Sequence, residues 1–165
     1  MIELEIPLYV LPLLESKSIK DLEIKEQVIL LNKIKHLVPP KIKICLETDL
    51  KPDTVKILFE SLDANIFKIN YDIGNSAYEG FSYEDEFNQY FNLIENIHIK
   101  DRLYKGSTVP LGEGDAKILD VLNEIKIRGY KKNLILQAAR INGVNDVKLI
   151  SKYKKFVEDA VGKKH

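Results

Sequence analysis

The sequence contains very little cysteine, no tryptophan and no net charge. Its single cysteine, Cys45, allows no internal disulfide, which is typical of proteins from the reducing cytoplasm. The 25 Lys and Arg residues balance 25 Asp and Glu residues. This balance argues against a duplex-binding protein, because such proteins depend on cationic side chains that neutralise phosphates. We therefore expect a cytoplasmic protein with small-molecule ligands and no nucleic-acid partner.

Long apolar runs and low-complexity tracts are also missing. No run approaches the roughly 20 apolar residues that span a bilayer. The stretch from Met1 to Leu14 contains Glu3 and Glu5 and has no basic start, unlike a signal peptide. No Pro-, Gly- or Ser-rich linker marks a boundary, and a chain of this length buries roughly 70% of its unfolded surface. We therefore expect a single domain over residues 1–165 and no membrane partner.

The pattern that is present is a strand followed by a helix, repeated five times. Short runs rich in Ile or Leu predict the strands, and apolar residues at helical spacing predict the helices. The predicted strands are Ile2–Tyr9, Ile42–Glu47, Phe67–Asp72, Asn96–Lys100 and Leu134–Gln137. Because each helix carries the chain back across the sheet, the strands must be parallel, and the sequence predicts an α/β fold.

Proline and capping residues place several helix ends. Pro39 and Pro40 end the first helix, and Pro52 suits the first turn of the second. Ser82 and Asp85 resemble a capping box before the third. The predicted apolar stripes are Ile24, Val28, Leu31 and Val38; Val55, Leu58, Phe59 and Leu62; Phe87, Phe91 and Ile94; Ile118, Leu122 and Ile125; and Val147, Ile150, Tyr153, Val157 and Val161.

The two faces of each predicted strand differ in polarity. Residues two apart share a face, and one face is apolar while the other becomes polar toward the C-terminal end of the strand. The face that becomes polar carries Cys45 and Glu47; Asn70 and Asp72; Asn96, His98 and Lys100; and Ile135 and Gln137. Ligands of open α/β sheets and barrels bind at the carboxyl ends of the strands, so the pattern predicts a shared site there.

The donor types at this site indicate a metal. Two carboxylates, one imidazole and one amide carbonyl suit Mn, Co or Mg better than Zn, which in structural sites favours sulfur. A simpler interpretation stays open for each residue taken alone. An isolated Asp or Glu at a strand end is often a helix cap or surface charge, and a lone His is often a hydrogen-bonded core residue.

Five segments of the sequence resemble one known family. They are Cys45–Asp49, Tyr71–Asn75, Ile97–Arg102, Pro110–Asp115 and Gly129–Tyr130. Together they resemble the C-terminal part of the sugar phosphate isomerase/epimerase family, whose members are xylose-isomerase-like TIM barrels. The resemblance covers nearly the whole chain. It implies a partial (β/α)8 barrel whose five units match barrel strands four to eight.

The resemblance also implies a set of metal ligands. The family holds a divalent metal with Glu, Asp, His and Glu, and the first three match Glu47, Asp72 and His98. The fourth position is Gln137, and glutamine cannot accept a proton as the second glutamate of related ketose epimerases does. Gln137 can still coordinate through its carbonyl oxygen, which leaves Glu47 as the one catalytic base. The implied reaction is proton abstraction beside a carbonyl, through an enediolate.

Other residues are candidates for contact with the substrate. Lys100 shares a strand face with His98, so it is a second catalytic candidate. It could pair with an enediolate or with a substrate phosphate. Alternatively, it forms a salt bridge to Glu47 or Asp72. Arg102 and Arg140 follow strand ends and are candidates for binding a substrate phosphate; alternatively they are solvated loop arginines. Asn75 matches a place where related epimerases have a substrate-contacting His. The loop Gly112–Gly114 precedes a helix N-terminus, where free amides attract anions; alternatively its two glycines only form a turn.

Three functional hypotheses follow. The first is a metal-dependent sugar or sugar phosphate isomerase or epimerase. The second is a non-catalytic half-barrel that serves as a binding or assembly subunit. The third is a nuclease like the apurinic endonucleases, which needs more well-placed histidines than His36, His98 and His165 provide.

The number of strands also sets an expectation about partners. A closed barrel has eight units, and the first three have no counterpart here. Five units leave exposed sheet edges. We expect a truncated chain, and the alternatives are a separate N-terminal half or self-association. We accordingly expect this chain alone to be a weak catalyst.

Overall fold

The computed structural model describes residues 5–39 and 41–162 of the chain. It is an α/β structure with seven strands and six α-helices in the described residues. In chain order they are β1 (Leu8–Leu13), α1 (Ile24–Lys35), β2 (Lys43–Thr48), α2 (Pro52–Glu60), β3 (Phe67–Asp72), α3 (Ile73–Glu79), α4 (Tyr83–Tyr90), β4 (Ile94–Ile99), β5 (Asp101–Arg102), β6 (Thr108–Val109), α5 (Ile118–Ile127), β7 (Asn133–Leu136) and α6 (Asp146–Val161). Two 3-10 helices cover Glu15–Lys17 and Phe91–Leu93.

The main sheet is parallel and has five strands in the order β1-β2-β3-β4-β7. Leu8 pairs with Lys43 at the start of the β1–β2 ladder, and Leu46 pairs with Ile69 in the β2–β3 ladder. The two-residue strands β5 and β6 form a separate antiparallel ribbon. The α/β fold with a parallel sheet, predicted from the alternation of strand and helix patterns, is confirmed.

Four of the five predicted strands are confirmed to within two residues at each end. The first strand is displaced: it covers Leu8–Leu13 instead of Ile2–Tyr9, and residues 2–4 of the prediction lie outside the described residues. Pro12 falls within this strand. Proline lacks the N–H of a central strand, and β1 accommodates it because β1 is an edge of the sheet.

Helix α3 was not predicted from the sequence. It begins directly after β3, because the Asp72 side chain accepts a hydrogen bond from the Asn75 N–H, 2.9 Å away, and so caps the first turn. Ile73, which strand alternation assigned to the apolar face of β3, is therefore the first residue of a helix. The other five helices are confirmed, and α1 ends at Lys35, four residues before Pro39.

The described chain divides into two compact units. The first contains residues 5–39, 41–71 and 84–96, and its core includes Leu31, Ile44, Leu46, Leu58, Phe67 and Phe87. The second contains residues 72–83 and 97–162, and its core includes Ile97, Ile99, Val121, Leu122, Ile125 and Leu149. The division falls inside β3 and β4, each of which is one continuous strand.

Candidate metal centre

In the first unit, a row of buried polar side chains leads to Glu47. The Asn96 side-chain amide donates a hydrogen bond to Asn70 Oδ1 at 2.5 Å, and the Asn70 amide donates to Glu47 Oε2 at 2.7 Å. Glu47 is 7% exposed, and both asparagines are 2% exposed. The Glu47 carboxylate is therefore buried together with a hydrogen-bond donor. A buried charge without such a partner would cost several kcal/mol.

In the second unit, Asp72 uses its two carboxylate oxygens differently. Oδ1 caps α3 through the Asn75 N–H. Oδ2 lies 2.8 Å from Lys100 Nζ and 3.6 Å from His98 Nδ1. Burial raises the pKa of Asp72, but the polar contact with His98 and the charge of Lys100 outweigh burial and hold that pKa below its ordinary value. Asp72 is therefore a carboxylate at neutral pH.

Glu47, Asp72 and His98 each offer one ligand atom, and these three atoms lie within 4.8 Å of one another. Two carboxylates and an imidazole suit a divalent metal ion, and the two acids are buried while His98 is 13% exposed in its side chain. The donor set thus fits a metal.

The strand-end positions explain why these residues meet. Glu47 is next to last in β2, Asp72 ends β3 and His98 is next to last in β4. The carboxyl ends of parallel strands lie at one edge of a sheet. The structure groups these three side chains, and their role as metal ligands stays a prediction.

Lys100 forms the salt bridge that its alternative interpretation predicted, and its partner is Asp72. The Lys100 side chain lies against Gly74 in the first turn of α3: a Cβ at Gly74 would be 2.9 Å from Lys100 Cγ and 3.0 Å from Cε. The absence of a side chain at Gly74 thus leaves the space that the lysine occupies beside Asp72.

Asn75 and Arg102, both predicted to contact a substrate, are bound to each other. Arg102 Nη1 donates to Asn75 Oδ1 at 3.1 Å, and Nη2 donates to the Gly106 carbonyl at 3.1 Å. The guanidinium carbon lies 4.0 Å from the centre of the Tyr78 ring. Arg102 is therefore held by several protein groups, unlike a solvated loop arginine.

Asp101 binds the backbone N–H groups of the Gly112–Gly114 loop, which the sequence suggested as an anion site. Its carboxylate accepts hydrogen bonds from the N–H groups of Gly112, Gly114 and Ala116 at 2.8, 3.1 and 3.2 Å. Asp101 is 1% exposed. The expectation that the Gly112–Gly114 loop attracts an anion is thus corrected: an internal carboxylate takes that place.

Gln137 and Arg140 follow the last strand, β7, and line one cavity. The Gln137 N–H donates to the Ile99 carbonyl at 3.0 Å, which places Gln137 beside the end of β4. Gln137 and Arg140 line a cavity of about 250 Å³ together with residues of α6. Arg140 Nη2 lies 3.5 Å from Asp146 Oδ2, and the Arg140 side chain is 86% exposed. The structure therefore leaves the ligand role of Gln137 and the substrate role of Arg140 as predictions.

Comparison with solved structures matches nearly the whole chain. The chain is similar to a xylose isomerase domain protein from Planctomyces limnophilus, with 19% identity and a TM-score of 0.76 over 95% of this chain. It is similar to a D-tagatose 3-epimerase-like protein, with 21% identity and a TM-score of 0.71 over 98%. The IolI protein, solved with a binding zinc atom, matches with 19% identity and a TM-score of 0.75 over 94%.

The chain has the xylose isomerase-like fold. It spans 59% of the Planctomyces protein, 66% of the tagatose epimerase-like protein and 63% of IolI. The fold predicted from the five resembling segments, a part of a xylose-isomerase-like TIM barrel, is confirmed. No protein-family model matches the sequence, and no curated protein matches it.

Within this xylose isomerase-like fold, two roles were missed at the sequence level. Asn70 and Asn96 were placed on the polar strand face without a function, although each stands two residues before a predicted ligand. Asp101 lies inside a resembling segment and received no role. The role of a buried hydrogen-bond donor can be predicted only when its acceptor on another strand is known.

Among the described residues, no helix has the length and apolar character needed to cross a membrane.

Proposed function

We propose that this chain is part of a metal-dependent sugar or sugar phosphate isomerase or epimerase, corresponding to the C-terminal portion of a TIM barrel. One observation carries the proposal: the ligand atoms of Glu47, Asp72 and His98 converge within 4.8 Å. The similarity to a xylose isomerase domain protein and to a D-tagatose 3-epimerase-like protein supports a sugar as the substrate class.

Glu47, Asp72 and His98 would hold the divalent ion, with Gln137 as a fourth ligand. When bound, the ion would polarise a substrate carbonyl and stabilise negative charge on its oxygen. Mn, Co or Mg suits this oxygen-rich set better than Zn, although the IolI neighbour was solved with zinc. That the bound metal is Mn, Co or Mg is part of the proposal.

The residues of the chain have separate roles in the proposed reaction. Glu47 is the base that removes the proton beside the carbonyl. Lys100, whose ammonium faces Asp72, pairs with the negative charge that develops on the enediolate. Asn75 and Arg102 act as one hydrogen-bonded pair that contacts the substrate, and Arg140 contacts its phosphate. With glutamine at position 137, we propose a one-base isomerisation.

The histidine count separates this proposal from the nuclease alternative. His36 is exposed at the C-terminal end of α1, and His165 lies outside the described residues. In the described part of the chain, the grouped ligands include one histidine. The structure therefore gives no support for a multi-histidine metal cluster.

Metal binding is the first test of the proposal. Isothermal titration of the purified chain with Mn²⁺ is expected to show one site, which Glu47→Ala and His98→Ala each abolish or weaken by at least about 10-fold. Glu95→Ala is the matched control, because Glu95 also lies on β4 but pairs with Lys43. Equal affinity in the parent chain and both site variants would disprove the shared site.

Proton abstraction is the second test, and it does not require complete turnover. The chain is incubated with a ketose or ketose phosphate and Mn²⁺ in D₂O, and deuterium at the carbon beside the carbonyl is followed by NMR. We expect incorporation that Glu47→Gln removes. Metal binding without any deuterium incorporation would instead favour the binding or assembly subunit.

A further inference from the structure

The hydrogen-bonded row of Asn96, Asn70 and Glu47 has a defined direction. An ionised carboxylate only accepts hydrogen bonds, so the Asn70 group that faces Glu47 must be its NH₂. The Asn70 carbonyl then faces Asn96, which must present its own NH₂. The charge of Glu47 thus fixes the orientation of both amides.

The row lies one layer beneath two of the proposed ligands. Asn70 stands two residues before Asp72 on β3, and Asn96 stands two residues before His98 on β4, so each shares a strand face with a ligand. Leu46 pairs with Ile69, and the same register sets Glu47 opposite Asn70. Glu47 is therefore level with Asn70, and the side-chain hydrogen bond joins these two neighbours directly.

We infer that Asn70 and Asn96 are positioning residues for Glu47, acting through the directed chain from Asn96 to Asn70 to the carboxylate. The Asn70 amide donates to Glu47 Oε2 and so restricts rotation of the carboxylate. Asn96 donates to Asn70 Oδ1 and so prevents a flip of the Asn70 amide. This inference rests on the proposed metal-binding function. Hydrogen bonds to the ligands of a metal orient them, and their loss weakens metal affinity about 10- to 100-fold.

The burial of the row supports this role. Both asparagines are 2% exposed, so water does not readily replace a missing partner, and rotation of either amide would oppose like dipoles. An apolar residue at position 70 would leave Glu47 without this donor. Asn96 touches Glu47 only through Asn70, so its effect on the metal must depend on Asn70.

The test is a double-mutant cycle read by Mn²⁺ affinity. The parent chain, Asn70→Ala, Asn96→Ala and the double variant are titrated with Mn²⁺, and bound Mn²⁺ is examined by EPR. We expect Asn70→Ala to weaken binding about 10- to 100-fold and to change the EPR spectrum. Asn96→Ala should weaken binding less, and it should have no further effect when Asn70 is already alanine.

Gln27→Ala is the control for a general effect of losing a buried amide. Gln27 lies in the same unit, is 1% exposed and donates to the carbonyls of Ile19 and Leu22 at 3.0 and 2.9 Å. Its substitution should lower stability, measured by urea unfolding, and leave Mn²⁺ affinity within about 2-fold of the parent.

The outcomes separate this inference from the proposed function. If the parent chain binds Mn²⁺ and Asn70→Ala binds it equally well, or if Gln27→Ala weakens binding as much, the positioning role is wrong while the metal site stands. Additive effects of Asn70→Ala and Asn96→Ala would likewise contradict the directed chain. If the parent chain binds no Mn²⁺, the proposed function fails and this inference fails with it.

Discussion

Asp101 Oδ2 accepts a hydrogen bond from the Gly114 N–H at 3.1 Å, and a Cβ at Gly114 would lie only 2.2 Å from Asp101 Oδ1. The carboxylate of one segment and the glycine of another therefore form a single packed unit. The contact links two of the resembling segments: Ile97–Arg102 supplies the acceptor, and Pro110–Asp115 supplies two of the amides and the necessary space.

Substitution of Gly114 is therefore expected to destabilise the chain. Gly114→Ala places a methyl group against Asp101 and against the Arg102 carbonyl, 2.7 Å from the added Cβ, and overpacking of this kind costs about 1–3 kcal/mol. Urea unfolding measures the free-energy change. The exposed neighbour Glu113 is the control, and Glu113→Ala should change stability by less than about 0.5 kcal/mol. Equal stability of Gly114→Ala and the parent would contradict the tight contact.

Removal of the Lys100 charge should strengthen metal binding and slow the proposed proton abstraction. The ammonium lies 2.8 Å from Asp72 Oδ2, so it repels a cation bound by the same carboxylate. We expect Lys100→Met to tighten Mn²⁺ binding by about 10-fold or more, while deuterium incorporation into the substrate falls. Lys43→Met, which removes the lysine paired with Glu95, should change neither. Weaker Mn²⁺ binding by Lys100→Met would show that the Lys100 ammonium and Mn²⁺ do not compete for the Asp72 carboxylate.

Restoration of a carboxylate at position 137 tests the fourth ligand. Gln137→Glu replaces a neutral oxygen donor by an anionic one, so we expect Mn²⁺ affinity to rise by about 10-fold. Asn133→Asp is the matched control, because it adds the same charge at an exposed position of β7, the strand that Gln137 directly follows. Unchanged affinity in Gln137→Glu would count against Gln137 as a ligand, and an equal gain in the control would point to net charge alone.

The lowered pKa of Asp72 predicts how stability depends on pH. Below its folded-state pKa the group is protonated, so the stabilising pairing with Lys100 is lost. The contribution is therefore fully present above the ordinary value of 3.8 and declines as the pH falls below it.

Urea unfolding between pH 2 and pH 7 checks this window. In Lys100→Met the pKa of Asp72 should move upward, and the loss of stability should begin at a higher pH than in the parent. An identical pH profile for the two proteins would show that Lys100 does not depress the pKa.

Local sequence patterns determined the secondary structure where they were strong. Phe67–Asp72 alternates between faces and is a strand over the same residues in the structure, and Pro52 begins α2 as expected for proline in a first turn. Period-two alternation also placed Glu47, Asp72 and His98 on one face, and the structure brings these three together. The pattern was informative because strand geometry fixes the direction of each side chain.

Tertiary contacts decided what local patterns could not. The start of α3 depends on the Asp72 cap, and the partners of Lys100, Arg102 and Asp101 lie on other segments of the chain. The Gly112–Gly114 amides looked free for an anion until folding brought the Asp101 carboxylate to them. The sequence by itself determined which residues share a strand face, since that follows from backbone geometry. Only the tertiary structure decided which hydrogen-bonding groups meet, because that depends on the register between strands far apart in the chain.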